Sequence, residues 1–169
     1  MFEYAELYNN GSITNDGLNP LTFTTSPSLI LITSMFSHAP NFNQQLIITD
    51  TSQVLISDYM FNYATTFNNG SLTNDGLTPF TLNTTTSLFS MKYMFNEATS
   101  FNQVLSIITN NVSDISYIFY NAALFNNGDI VGGITSQLTW TFDYFIYLNY
   151  DNYDTSSGLT YENKPIQLQ

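Results

Sequence analysis

The chain has 169 residues, a formal net charge of −11 and only 9% charged residues, whereas 43% are hydrophobic and 16% aromatic. This composition argues against a disordered chain, which would be rich in charge and poor in aromatic residues. Two lysines and no arginine provide no basic surface for nucleic acid or an anionic membrane, and the lack of cysteine excludes disulfides and thiolate chemistry.

A nine-residue motif recurs along the chain and defines its repeat units. It reads MFEYAELYN from Met1, MFSHAPNFN from Met35, MFNYATTFN from Met60, MFNEATSFN from Met94 and IFYNAALFN from Ile118, and a decayed copy, YFIYLNYDN, is assigned from Tyr144. The starts lie 34, 25, 34, 24 and 26 residues apart, so long and short units alternate at first within a larger 59-residue repeat. Periods of about 20–50 residues are typical of stacked repeats, and the absence of propeller signatures favours a solenoid.

Each unit divides into an extended half and a compact half. The extended halves are short segments rich in β-branched and aromatic residues: PLTFTT (20–25), QLIITDT (45–51), PFTLNTT (79–85) and VLSIITN (104–110). We expect them to stack into a parallel sheet with strands about 4.8 Å apart. In the compact half, apolar residues recur at spacings of three and four, which predicts one face of a short helix or 3₁₀ turn.

An asparagine follows the last aromatic residue of the motif in each of the first five units. These residues are Asn9, Asn43, Asn68, Asn102 and Asn126. In a stack of units they would lie one above another, and an amide side chain can both donate and accept hydrogen bonds. We therefore predict a structural asparagine ladder, not a binding site.

The first and third units are longer because each carries an insertion, residues 11–17 and 70–76, with the pattern Gly-Ser-x-Thr-Asn-Asp-Gly. The surrounding segments 9–22 and 68–81 are identical at 11 of 14 positions. Asp-Gly is a strong turn signal, so we expect two loops that project from one edge, roughly 10 Å apart. Their tips would present Asn15, Asp16 and Gly17, and Asn74, Asp75 and Gly76. Plain turns are favoured over calcium sites, because no known calcium-loop spacing is present.

Tyrosines recur at every third residue near the C-terminus: Tyr144, Tyr147, Tyr150 and Tyr153. On a helix they would form an aromatic stripe, which suits either a protein interface or a cap on the last unit. A cap would need the chain only as far as about Leu148. We therefore expect Tyr150 and Tyr153 to contact a neighbouring molecule.

Residues 42–68, FNQQLIITDTSQVLISDYMFNYATTFN, resemble the repeat MFxxAxxFNQ of the BspA-like leucine-rich repeats. That family includes mycoplasma surface lipoproteins, other bacterial surface proteins and proteins of large DNA viruses. The resemblance implies a leucine-rich-repeat-like solenoid of five to six coils over residues 1–148, with a parallel sheet on one side and short helices or 3₁₀ turns on the other. Residues 149–169 would be a C-terminal cap or interaction tail. The tryptophan usual in the family's strand is missing, since Thr49 and about Ile107 take its place and Trp140 lies elsewhere.

No constellation predicts catalysis, a metal or a cofactor. His38 stands alone, no serine lies in a GxSxG elbow, and Asp151 and Asp154 fit a solvated acidic tail. We expect a non-enzymatic structural or adhesive protein of an external surface, which binds capsid proteins, surface proteins or itself without inserting into a membrane.

Two settings compete for this protein: the virion of a large DNA virus, as a minor capsid or capsid-decorating protein, and the bacterial cell surface, as an adhesin fragment. The lack of a secretion signal slightly favours the virion. Glycan binding through the Asn/Asp-rich loops is the alternative from another functional class.

Overall fold

The computed structural model describes residues 1–14, 17–23, 30–73, 76–82, 86–129, 137–143 and 148–169. Four strands lie in these ranges: β1 Leu21–Phe23, β2 Leu46–Ile48, β3 Phe80–Leu82 and β4 Leu105–Ile107. β1 pairs with β2 and β3 pairs with β4, both in parallel. The predicted parallel pairing is therefore confirmed, in the form of two small two-stranded sheets.

A second row of parallel contacts joins consecutive units one by one. Isolated parallel bridges connect Leu31 to Ile56, Ile56 to Ser90, Ser90 to Asp114 and Asp114 to Asn149. Because all bridges have the same direction and lie just before successive motifs, each unit repeats the path of the one before it.

The nine-residue motifs form consecutive turns, which agrees with the second of the two predicted forms, the 3₁₀ turn, and not with the short helix. Ala64 N–H donates to the Phe61 carbonyl of its own unit at 3.0 Å, whereas Phe61 N–H donates to the Met94 carbonyl of the next unit at 2.8 Å. A helix cannot form because left-handed residues interrupt it: Tyr59 has φ 58° and Tyr63 has φ 57°. The helices of the described residues are the 3₁₀ helices Tyr161–Asn163 and Ile166–Leu168.

The same left-handed conformation recurs at two positions of nearly every unit. Immediately before the motif it occurs at Ser34, Tyr59, Tyr93, Tyr117 and Asn152. At the fourth motif position it occurs at Tyr4, His38, Tyr63, Glu97 and Asn121. Between these two positions, successive N–H groups donate in turn to a carbonyl of the next unit and to a carbonyl of their own unit. The hydrogen bonds to the next unit join the stack.

Two columns of aromatic rings form the core. One contains Phe2, Phe36, Phe61, Phe95 and Phe119, with successive ring centroids 5.3–6.0 Å apart. The other contains Tyr8, Phe42, Phe67, Phe101 and Phe125, with centroids 5.6–5.8 Å apart. The motif alanines Ala39, Ala64, Ala98 and Ala122 are fully buried, whereas Ala5 of the first unit is partly buried. The apolar spacing seen in the sequence therefore builds this core, although on turns instead of helices.

The last copy of the motif begins at Tyr153, so the assignment to Tyr144 is wrong. Phe119 N–H donates to the Tyr153 carbonyl at 2.7 Å, just as Phe95 N–H donates to Ile118 at 2.9 Å. The spacing from Ile118 becomes 35 residues, and long and short units then alternate throughout the chain. Tyr144 itself lies outside the described residues. The copy is hidden in the sequence because Asp154 and Ser157 occupy the places of the usual Phe and Ala.

Trp140 also has a place in the repeat, contrary to the expectation that it lies elsewhere. Segment 127–140 aligns with segments 10–23 and 69–82, which puts Trp140 at the position of Phe23 in β1 and Leu82 in β3. Its ring is 3% exposed and stacks on Phe119 at 5.8 Å. The tryptophan thus marks the third long unit.

Candidate functional site

The five predicted ladder asparagines lie in one row and bond from unit to unit. The Oδ1 atom of each of the first four accepts a hydrogen bond from the backbone N–H of the equivalent asparagine in the next unit, at 2.7–3.0 Å. The donors are Asn43, Asn68, Asn102 and Asn126. The row ends where Asn126 Oδ1 accepts from Thr160 N–H at 2.9 Å. These bonds tie the units together along one edge of the stack.

Two buried glutamines that the sequence analysis missed brace the insertions. Gln44 donates from Nε2 to the Thr14 carbonyl at 2.8 Å and accepts at Oε1 from Asn19 N–H at 3.1 Å. Gln103 makes the equivalent bonds to Thr73 and Thr78. Each short unit therefore binds the chain at one residue inside the insertion of the long unit before it and at one residue just after that insertion. The 59-residue spacing of the two glutamines was the available signal.

The described end of each insertion lies in contact with the next long unit. A Cβ atom built on Gly70 would lie 2.8 Å from Gly17 Cα, and one on Gly76 would lie 3.1 Å from Gly128 Cα. The last residue of each insertion therefore passes the short unit and touches Gly70 or Gly128 of the next long unit, whereas a gap of about 10 Å was predicted. The tip residues Asn15, Asp16, Asn74 and Asp75 lie outside the described residues.

Apolar side chains on the insertions point into solvent at equivalent positions. Ile13 is fully exposed and its counterpart Leu72 is 75% exposed, while Leu18 and Leu77 are 78% and 77% exposed. We call these four residues the insertion edge. Beside it lies an open depression of about 240 Å³, which includes Leu72 and Leu124 in its lining. The hydrogen bonds of Gln44 and Gln103 hold the backbone next to these apolar side chains.

A second surface feature consists of stacked tyrosines. Tyr59, Tyr93 and Tyr117, which we call the tyrosine column, lie with ring centroids 4.9 and 4.7 Å apart and ring planes 8° and 4° from parallel. All three are partly exposed. A neighbouring column places His38 between Tyr4 and Tyr63, at 4.6 and 4.8 Å. The sequence signal for the tyrosine column is that a tyrosine directly precedes three of the motifs.

Asp58 forms a polar contact between units next to the tyrosine column. Its Oδ1 accepts from the Ser90 hydroxyl at 2.5 Å and from Lys92 N–H at 3.1 Å, and Lys92 Nζ lies 3.9 Å from Oδ2. Burial nevertheless raises the pKa of Asp58 above its ordinary value, and the charge of Asp114 acts in the same direction. Ser90 and Lys92 oppose the rise without cancelling it.

The tail tyrosines do not behave as one surface. Tyr153 is 6% exposed and belongs to the core, so the expectation that it contacts a neighbouring molecule is wrong. Burial raises the pKa of Tyr153 above its ordinary value, and its hydroxyl has no hydrogen-bond partner among the described residues. Tyr150 is 45% exposed, and Tyr144 and Tyr147 lie outside the described residues.

The described residues contain no grouping of three or more histidine and carboxylate side chains that could bind a metal ion. Asp154 is paired with Lys164, and the Ser37 hydroxyl lies 2.9 Å from His38 Nδ1. Nor does any helix within the described ranges combine the length and apolarity needed to cross a membrane.

Comparison with known proteins gives one family. The profile described as "Mycoplasma protein of unknown function, DUF285" matches twice, over residues 1–79 and 80–157. No curated protein and no solved structure matches the chain. The boundary between the two matches lies inside the third unit, just before β3, so each match combines long and short units.

Proposed function

The chain belongs to the DUF285 family, and from this premise we propose that it is a non-enzymatic interaction protein of an external surface, built as a solenoid of six coils. Six coils are supported by the motif starts at Met1, Met35, Met60, Met94, Ile118 and Tyr153 and by the unbroken ladder from Asn9 to Thr160. The BspA-like leucine-rich-repeat character implied by the MFxxAxxFNQ motif remains part of this proposal.

The observation that carries the proposal is the insertion edge. Exposed apolar side chains recur in equivalent places on two long units, and buried hydrogen bonds from Gln44 and Gln103 hold the chain on both sides. A single exposed leucine is ordinary, but an ordered row of them marks an interaction surface. Because these exposed side chains are apolar, we propose a protein partner that presents apolar residues.

The setting we favour is the bacterial cell surface, because the family's description names mycoplasma proteins. A virion, in which the chain would be a minor capsid or capsid-decorating protein, is the other setting. Antibody labelling of intact and permeabilised source cells separates them. Labelling of intact cells supports the cell surface, whereas labelling only after permeabilisation, together with the chain in purified particles, supports the virion.

The interaction edge itself is tested with purified protein on the isolated surface layer of the source cell or particle. The double variant Ile13→Ser and Leu72→Ser should lose binding while keeping its melting midpoint, because both side chains lie outside the core. The control variant Leu31→Ser and Ile166→Ser removes equally apolar side chains that are 56% and 70% exposed elsewhere. Equal binding by both variants and the unaltered protein contradicts the proposal.

The glycan alternative has its own outcome. The purified chain is applied to a glycan array together with the double variant Asp16→Ala and Asp75→Ala and the apolar double variant. If the unaltered chain and the apolar variant bind a glycan and the aspartate variant does not, the loops bind carbohydrate. An array without bound glycan, together with loss of surface-layer binding in the apolar variant, supports the protein partner.

A further inference from the structure

We propose that the tyrosine column is a site of oxidative crosslinking, in which a haem peroxidase and hydrogen peroxide join neighbouring units through dityrosine. This inference does not depend on the proposed function. It rests on the stacking, the exposure and the backbone register of Tyr59, Tyr93 and Tyr117.

Backbone hydrogen bonds between adjacent units hold the rings of the tyrosine column next to one another. Tyr59 N–H donates to the Lys92 carbonyl at 3.0 Å, and Tyr93 N–H donates to the Ser116 carbonyl at 3.0 Å. These bonds fix the backbones of adjacent units side by side at the tyrosines. Near-parallel rings with centroids 4.7–4.9 Å apart then result, and such fixed proximity acts as a high effective concentration.

The reaction needs only phenols and a one-electron oxidant. Each tyrosine loses one electron and the phenolic proton to give a phenoxyl radical, whose spin density lies partly on the ring carbons next to C–OH. Two radicals form one carbon–carbon bond between these positions. The two ring protons then move to the phenolic oxygens, which restores both aromatic rings. Overall, two tyrosines and one hydrogen peroxide give one dityrosine and two water molecules.

Competing sulfur and indole targets of oxidation are sparse on this chain. There is no cysteine, and four of the five methionines are buried: Met35, Met60, Met91 and Met94. Trp140 is 3% exposed. The partly exposed phenols of the tyrosine column are therefore accessible where the indole and four of the five methionine sulfurs are not.

A dityrosine in the column would close a long chain loop. Tyr59 and Tyr93 are 34 residues apart, and Tyr93 and Tyr117 are 24 apart. Crosslinks over such distances restrict the unfolded chain in the way that disulfides do. The modification would thus supply covalent links between units to a chain that cannot form disulfides.

The test treats the full folded chain, at a concentration where it is monomeric, with a haem peroxidase and hydrogen peroxide. Dityrosine fluorescence should develop, and mass spectrometry should find peptides joined through Tyr59 to Tyr93 or Tyr93 to Tyr117, with the loss of two hydrogens. The variant Tyr93→Phe keeps an aromatic ring but has no phenol, so both crosslinks should fall to background.

Tyr63→Phe is the matched control. Tyr63 is also exposed and stacked, but its partner is His38, so its loss should leave the crosslink yield unchanged. Unchanged yield in Tyr93→Phe, or crosslinks found only between chains, overturns the proposal. So does a wild-type protein that forms no dityrosine while its melting midpoint shows that it is folded.

Discussion

The side chain of Asn43 accepts hydrogen bonds from two backbone groups of the next unit, Asn68 N–H at 2.7 Å and Gly70 N–H at 3.0 Å. Asn102 makes the equivalent pair of bonds to Asn126 and Gly128. A short-unit asparagine therefore fixes both the ladder position and the start of the following insertion. The ladder is unequal in this respect, because Asn68 accepts from Asn102 N–H and from the Gln103 side chain instead.

Replacement of Asn68 by alanine should destabilise the fold by about 1–3 kcal/mol, because Asn102 N–H and Gln103 Nε2 lose a buried acceptor. The measurement is the free energy of unfolding in a denaturant titration. Asn19→Ala is the control, since the Asn19 side chain is exposed, and it should change stability by no more than about 0.5 kcal/mol. Equal midpoints for both variants would mean that the ladder contributes nothing.

Gly70→Ala should destabilise more than Gly11→Ala, although both glycines have positive φ, 83° and 77°. A Cβ on Gly70 meets Gln45 N and Gly17 Cα at 2.8 Å, whereas one on Gly11 meets nothing within 4 Å. We expect a loss of about 2–5 kcal/mol for Gly70→Ala and about 1–2 kcal/mol for Gly11→Ala. Thermal melts of the two variants provide the comparison, and similar losses would contradict the close approach of the insertions.

Replacement of Asp58 by asparagine should alter how stability depends on pH. The raised pKa of Asp58 means that the folded chain binds this proton more tightly than the unfolded chain. Its contribution is therefore fully present below the ordinary carboxyl pKa of about 3.9 and is lost as pH rises through the folded value. Relative to wild type, Asp58→Asn should gain stability as pH rises through this interval.

Asp50→Asn provides a control with the opposite sign. Hydrogen bonds from the backbone and side chain of Ser52 lower the pKa of Asp50, so its contribution is present above the ordinary value and lost as pH falls. The Asp50→Asn variant should therefore lose relative stability as pH rises. Denaturant titrations at several pH values measure both differences, and parallel curves for the two variants would refute the assignment.

Tyr153 should tolerate loss of its hydroxyl but not of its ring. The hydroxyl is buried without a partner among the described residues, so Tyr153→Phe should change stability by less than about 1 kcal/mol or increase it. Tyr153→Ser should cost about 3–5 kcal/mol, because the residue is 6% exposed. Tyr150→Ser is the control at a 45% exposed site, and its unfolding midpoint should stay near wild type.

Much of the core follows from residue spacing alone. Phe61 and Phe67 are six residues apart in a repeated motif, and this recurrence predicts that equivalent rings meet in adjacent units, as they do at 5.3 and 5.7 Å. The row of asparagines could also be anticipated, because residues at the same motif position must align when units stack. The hydrogen-bond partners of these asparagines could not be anticipated, because they depend on the direction of the backbone at each turn.

The turns could not be distinguished from a helix because both bring residues three or four apart onto one side. Backbone handedness at Tyr59 and Tyr63 decides between them, and tyrosine has no preference for the left-handed region that would have revealed it. The last unit escaped detection for another reason. Tyr153 keeps the backbone register while Asp154 and Ser157 lack the apolar character by which the motif was recognised.

The contact between Gly17 and Gly70 also limits how the gene could change in length. Each insertion touches the next long unit across a short one, and that short unit supplies the glutamine that braces it. Recombination that added or removed a single unit would bring together two short units, which leaves a glutamine without its insertion, or two long units, which leaves an insertion without its glutamine. Duplication in steps of 59 residues preserves every partner, so we expect copy number among relatives to vary by pairs of units.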